Sequence, residues 1–139
     1  MKIKLDNGAF PPTRAHLTDA GLDIYAKIDD RRVIHAHGAE IFHTGVHIKL
    51  PPNTAGVIIS KSGLNVKHDI TSTGLIDEGY DGEIVVKLHN HGDKHYIVHG
   101  GDKISQLVVV PVRYEKVEIV DDLHQNSERG ANGFGSTGK

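Results

Sequence analysis

The sequence predicts an all-β fold of the sandwich, barrel or jelly-roll kind, and three observations carry that prediction. Short segments rich in Val and Ile recur along the chain, several alternate apolar with polar residues, and Gly or Pro clusters separate them. No window shows the pattern of a long amphipathic helix. Neither a repeat nor a linker divides the 139 residues, so a single domain over 1–139 is expected.

The elements follow in order. Lys2–Leu5 alternates cleanly, as a half-exposed strand does. Leu22–Ala26 comes after the Pro11-Pro12 break. Val33–His37, Glu40–Phe42 and Val46–Leu50 then lead to Pro51-Pro52-Asn53. Ala55–Ile59 is next, and Ser62–Val66 has room for one short turn of helix. Glu83–Leu88 starts after Asp81-Gly82 and stops before Asn90-His91-Gly92-Asp93. His95–Val98 precedes Gly100-Gly101-Asp102. Ile104–Val110 is apolar on both faces near its end, so both faces must be covered, either by a central place in a sheet or by another subunit. Glu115–Val120 closes the series with a clean alternation, and a compositional break near Asp121-Asp122 opens a tail.

Composition narrows the function classes. A formal net charge of −2 supplies no basic face, which argues against duplex nucleic acid and anionic membrane as partners. The absence of cysteine rules out a disulfide scaffold and a thiolate metal site. Residues 1–6 lack the apolar centre of a signal peptide, and no apolar run approaches membrane-spanning length. The expectation is a soluble cytoplasmic protein. Aromatics make up 5% of the chain and Trp is absent, a thin core for an independent monomer.

Chemistry concentrates in five segments. They are Asp19-Ala20-Gly21-Leu22-Asp23-Ile24-Tyr25-Ala26, Ser60-Lys61-Ser62-Gly63-Leu64, the run from Gly74 to Ile84, Gly101-Asp102-Lys103-Ile104-Ser105-Gln106-Leu107, and the tail from Arg129 to Lys139. In the tail, glycines interleave with Arg129, Phe134, Ser136 and Thr137. Glycine lets backbone N–H groups come close to a ligand, hydroxyls and a guanidinium suit phosphate oxygens, and a phenyl ring suits the face of a base. Such a tail reads either as a lid over a nucleotide or as a plain glycine-rich end.

These five segments, in this order and spacing, resemble the motifs of the trimeric dUTPase family from about Ala20 to Thr137. The resemblance implies a distorted jelly-roll β-barrel assembled as a homotrimer. It also implies active sites between subunits, and an arm of about 121–139 that is mobile and closes a neighbour's site. The reaction it implies is Mg²⁺-assisted attack of water on the α-phosphorus of dUTP, giving dUMP and pyrophosphate. Asp77 is then the general base, since an ionised carboxylate can take a proton from the attacking water. Read alone, Glu78 and Asp81 are equally placed beside it. Leu75 and Ile76 would line the nucleoside pocket, and Tyr80 would stack beneath the deoxyribose and leave no space for a 2′-hydroxyl. Main-chain groups of the turn can match the acceptor–donor–acceptor edge of uracil, whereas a mismatched base leaves buried polar groups unpaired at about 1–3 kcal/mol each. Lys61, Ser62, Gly63 and Gln106 would meet the phosphates. Arg129, Ser136, Thr137 and Gly135 would clamp the far phosphates, with Arg129 acting like an arginine finger supplied in trans, and Phe134 would stack on uracil. Mg²⁺ would keep most of its waters, with Asp23 reaching it through one of them.

Two departures accompany the resemblance. Lys61 stands where the family has arginine, so the charge stays but the planar fork is lost. Thr71 stands where many members carry an asparagine that helps read uracil, so base recognition leans on the main chain. The related dCTP deaminases, alone or bifunctional, share the fold, but Lys87 occupies the place of their catalytic glutamate. A regulatory, partner-binding role on the same trimer is a further reading, with no inserted segment to carry it. Eleven histidines, among them His35 with His37 and His89 with His91, read either as exposed strand residues or as Zn²⁺-chelating pairs. Neither a cellular nor a viral source is distinguished, so the cytoplasm is that of a bacterium or of a virus-infected host.

Overall fold

Ten strands and one short helix make up the described residues, 1–123, of the computed structural model. They are β1 (Lys2–Leu5), β2 (Gly21–Tyr25), β3 (Arg31–Ile34), β4 (Ala39–Lys49), β5 (Thr54–Ile59), α1 (Ser62–His68), β6 (Ile70–Thr71), β7 (Thr73–Ile76), β8 (Glu83–Asn90), β9 (Tyr96–His99) and β10 (Lys103–Pro111). Two antiparallel four-stranded sheets, ordered β1-β4-β8-β6 and β2-β10-β5-β7, are accompanied by a separate β3-β9 ribbon. Strands of both sheets feed one core. Ile84, Val86 and Leu88 of β8 meet Phe42, Val46 and Ile48 of β4 and Leu22, Ile24, Ile58, Ile104 and Leu107 of the other sheet. Each such burial contributes about 1.5–3 kcal/mol. This is the all-β, jelly-roll-like architecture the sequence predicts; among the described residues no closed barrel forms.

Several boundaries move for identifiable reasons. β4 is one long strand where two are expected, because Gly45 at φ 65° absorbs a bulge in its pairing with β8 between His43 and His47. A Cβ there would stand 2.7 Å from Ala9 Cβ and 2.9 Å from Lys27 Cδ, so glycine is required on both counts. β3 stops at Ile34 and does not run to His37. His37 is left-handed at φ 58°, and Gly38 N–H donates to the His35 carbonyl at 3.0 Å, which makes a turn. β10 takes a central place in its sheet, between β2 and β5, while its apolar end at residues 108–110 stays half-buried.

Segment 115–120 forms no strand. Val117 and Ile119 are 92% and 95% exposed, and their alternation finds no neighbouring strand among the described residues. β6 and β7, unforeseen as strands, follow the left-handed Asp69 that ends α1. Among the described residues no helix is long and apolar enough to cross a membrane.

Candidate active site

Sheet register assembles one half of the site. Gln106 on β10 pairs with Asp23 on β2 and, on its other side, with Ile59 at the end of β5. Two residues on, the chain leaves β5 through Lys61 into α1, which begins at the exposed Ser62 and Gly63. The segments holding Asp23, Lys61-Ser62-Gly63 and Gln106 therefore meet at one end of one sheet. Hydroxyls brace this end from behind. Ser60 Oγ accepts the Ser72 N–H at 2.8 Å, and Ser105 Oγ lies 2.8 Å from Ser72 Oγ and donates to the Ile59 carbonyl at 2.8 Å. Ser72 and Ser105 are both buried, so the exit of β5 is held against β10 and the β6–β7 link.

Asp23 is the charged centre of this half. It is 5% exposed, with Lys61 Nζ at 2.5 Å, Lys103 Nζ at 2.7 Å and Gln106 Nε2 at 3.4 Å. Burial works against its ionisation, but the hydrogen bonds and charges of Lys103 and Lys61 outweigh it and hold the carboxyl below the usual aspartate range. With the folded pKa below the unfolded value of about 3.9, the resulting stability is present above that value and disappears as pH falls through the folded one. Asp23→Asn is therefore expected to lower stability by about 2 kcal/mol at pH 7. Thermal melts of the two proteins should converge below about pH 4. A gap that stays constant to pH 3 would contradict the assignment.

The other half lies at the turn between β7 and β8. These strands belong to different sheets, so the segment is a splayed corner. β7 pairs only with β5, and β8 at residues 83–88 pairs only with β4. Their free edges diverge around a pocket of about 230 Å³ lined by Leu75, Ile76, Asp77, Tyr80, Glu83 and Val85, among others. Unpaired main-chain donors and acceptors of two strand edges thus face one space. Tyr80 N–H donates to the Asp77 carbonyl at 3.1 Å, and its hydroxyl donates to the Glu83 carbonyl at 2.8 Å. A Cβ at Gly82 would stand 2.5 Å from Tyr80 Cζ, so only glycine lets the ring fold back over the turn.

Structure separates the three acids that the sequence leaves equivalent. Glu78 Oε2 accepts the Asn53 N–H at 2.8 Å and the Tyr114 hydroxyl at 2.7 Å. Asp81 lines a different groove, beside β1. Asp77 is exposed at the pocket, and among the described residues no hydrogen bond or salt bridge engages its carboxylate. Thr71 is not in the pocket wall, and its Oγ1 lies 2.7 Å from His91 Nε2.

The two halves do not meet within one chain. Thr73 is the β7 residue in register with Ile59, and Asp77 lies four residues further on. At about 3.3 Å per residue, that separation is roughly 13 Å along the strand. Sequence reasoning assigned no role to Lys103 or to Glu83, although both sit inside the segments it singled out. Arg129, Phe134, Gly135, Ser136 and Thr137 lie outside the described residues. Among the described residues no group of three or more His, Asp or Glu is arranged to hold a metal. His89 and His91 stack with ring centroids 6.1 Å apart.

Comparison with known proteins covers both halves. The dUTPase family model matches residues 9–138. The deoxyuridine 5′-triphosphate nucleotidohydrolase of Clostridium acetobutylicum is 44% identical over 142 residues, covering 99% of this chain and 96% of that protein. Its counterpart in Gloeothece citriformis is 45% identical, covering 99% and 97%. Among solved structures, the dUTPase of Staphylococcus bacteriophage 80alpha with dUpNHpp superposes with a TM-score of 0.91 at 29% identity, covering 99% of this chain and 98% of that one. A point mutant of the dUTPase from phage phi11 of S. aureus, described for its coordination of a structural Mg(II) ion, gives 0.79 at 25% identity, covering 88% and 97%.

Proposed function

The chain belongs to the dUTPase family and is a dUTP hydrolase, and from that premise we propose that Asp77 is its general base and that each active site is shared between subunits. The pocket between the free edges of β7 and β8 carries this reading, because it places Asp77 and Tyr80 beside main-chain groups able to read uracil. Water activated by Asp77 attacks the α-phosphorus, and dUMP and pyrophosphate leave. Leu75 and Ile76 line the nucleoside pocket, and Tyr80 packs under the deoxyribose.

The roughly 13 Å between Asp77 and the Gln106 row supports a homotrimer, in which Lys61, Ser62, Gly63 and Gln106 of one copy face the Asp77 pocket of another. The alternation at Val117 and Ile119, exposed and without a strand partner among the described residues, supports it as well, since such a segment can pair with an edge of a second copy. Arg129, Gly135, Ser136 and Thr137 then clamp the outer phosphates and Phe134 covers the base, all from the arm of a sister subunit. A Mg²⁺ ion bound with the triphosphate would neutralise phosphate charge. The Asp23 carboxylate is matched by two lysines, Lys61 and Lys103. Asp23 would reach such an ion only through water. A cytoplasmic setting fits this activity.

The test is pyrophosphate release from dUTP, dTTP, dCTP and UTP, with and without Mg²⁺. Strong preference for dUTP is expected. Equal turnover of dTTP would remove the pocket reading, and ammonia release from dCTP would reveal a deaminase.

A further inference from the structure

Tyr80 is held by main chain, and the position of that main chain is itself set by a side chain. Glu83 is the first residue of β8 and sits opposite the bulge in β4. The bulge takes the Thr44 and Gly45 N–H groups out of the ladder, and Glu83 Oε1 accepts both, at 3.1 and 2.7 Å. Its second oxygen lies 2.7 Å from His43 Nδ1. The same residue's carbonyl takes the Tyr80 hydroxyl at 2.8 Å. Next to it, His47 Nδ1 lies 3.2 Å from the Asp81 carbonyl, so β4 grips the corner at two successive points.

We propose that Glu83 is a positioning residue for sugar selectivity: by anchoring the start of β8 to the β4 bulge, it fixes the carbonyl that holds Tyr80. The proposal rests on Tyr80 packing against the deoxyribose. A ring excludes a 2′-hydroxyl only while it stays put, and a displacement of about 1 Å admits the extra oxygen. The Glu83 carboxylate is taken up by the β4 bulge and by His43, so its effect passes through Tyr80.

The readout is the ratio of kcat/KM for dUTP to that for UTP. Glu83→Ala frees the bulge amides and is expected to lower the ratio about tenfold, mainly through faster use of UTP. Glu83→Gln keeps an acceptor for both amides and is expected to hold the ratio within about threefold of wild type. A lowered melting temperature with an unchanged ratio in Glu83→Ala would overturn the proposal. Should Glu83→Ala fail to fold, Tyr80→Phe cuts only the tie between hydroxyl and carbonyl. Its ratio is expected to fall, and an unchanged ratio would overturn the proposal equally. Tyr80→Ala separates the two levels. If it leaves the ratio intact, the placement of Tyr80 against the sugar is wrong. If it lowers the ratio while Glu83→Ala and Tyr80→Phe do not, only the role of Glu83 fails.

Discussion

Asp77→Asn is expected to lose at least about a hundredfold in dUTP turnover while keeping its fold. The size follows from removing a general base at an otherwise complete site. Asparagine has the same shape and cannot take a proton from water at neutral pH. The fold should be indifferent, since Asp77 is exposed and among the described residues its carboxylate joins no hydrogen bond or salt bridge. Its neighbours cannot stand in for it. The Glu78 carboxylate is committed to Asn53 N–H and the Tyr114 hydroxyl, and Asp81 faces another groove. Glu78→Gln is the matched control and should weigh on stability more than on chemistry. The measurement is kcat by pyrophosphate release, alongside a thermal melt and titration with a non-hydrolysable dUTP analogue. Turnover within about threefold of wild type would remove Asp77 from the mechanism.

The sequence made most of this architecture legible, and the exceptions share a cause. Strands whose two faces differ, such as β8 with Ile84, Val86 and Leu88 turned inward, announce themselves by their period. Strands defined by pairing alone do not. β6 and β7 are short, carry Thr and Gly, and exist because β8 and β5 supply their partners. The converse failure is residues 115–120, where the period is right and no partner is present among the described residues. The bulge at Gly45 reads locally as a break between two strands, and only the register with β8 shows one strand continuing through it.

The site divides in the same way. Asp77, Tyr80, Lys61, Ser62 and Gln106 stand out because their motifs keep them close to glycine and to one another along the chain. Lys103 and Glu83 matter through contacts across strands, to Asp23 and to the β4 bulge, and linear spacing carries no trace of those contacts. The separation between Asp77 and the Gln106 row is likewise a property of sheet register.

Deleting residues 129–139 is expected to cut dUTP turnover at least about a thousandfold, the scale of losing a cation aimed at the transferring phosphates. Stability is expected to change little, because among the described residues the buried cluster already draws on both sheets, from Leu22 to Leu107. Melting temperature and light-scattering mass check that point, and a truncated chain that unfolds would show the arm to be structural. Turnover alone cannot say whose site the arm completes, but a mixture can. The truncated chain keeps Asp77 and lacks Arg129, whereas the Asp77→Asn chain keeps Arg129 and lacks the base. If each subunit closed its own pocket, every site in a mixed trimer would miss one group or the other, and activity would stay at the level of the parents. If the arm crosses to a neighbour, some mixed sites receive Asp77 from one chain and Arg129 from the other. Unfolding and refolding the two variants together should then restore a substantial fraction of wild-type turnover, well above either parent. Activity that stays at the parental level, with mixed trimers demonstrated by differential tagging, would show that the arm works within its own chain.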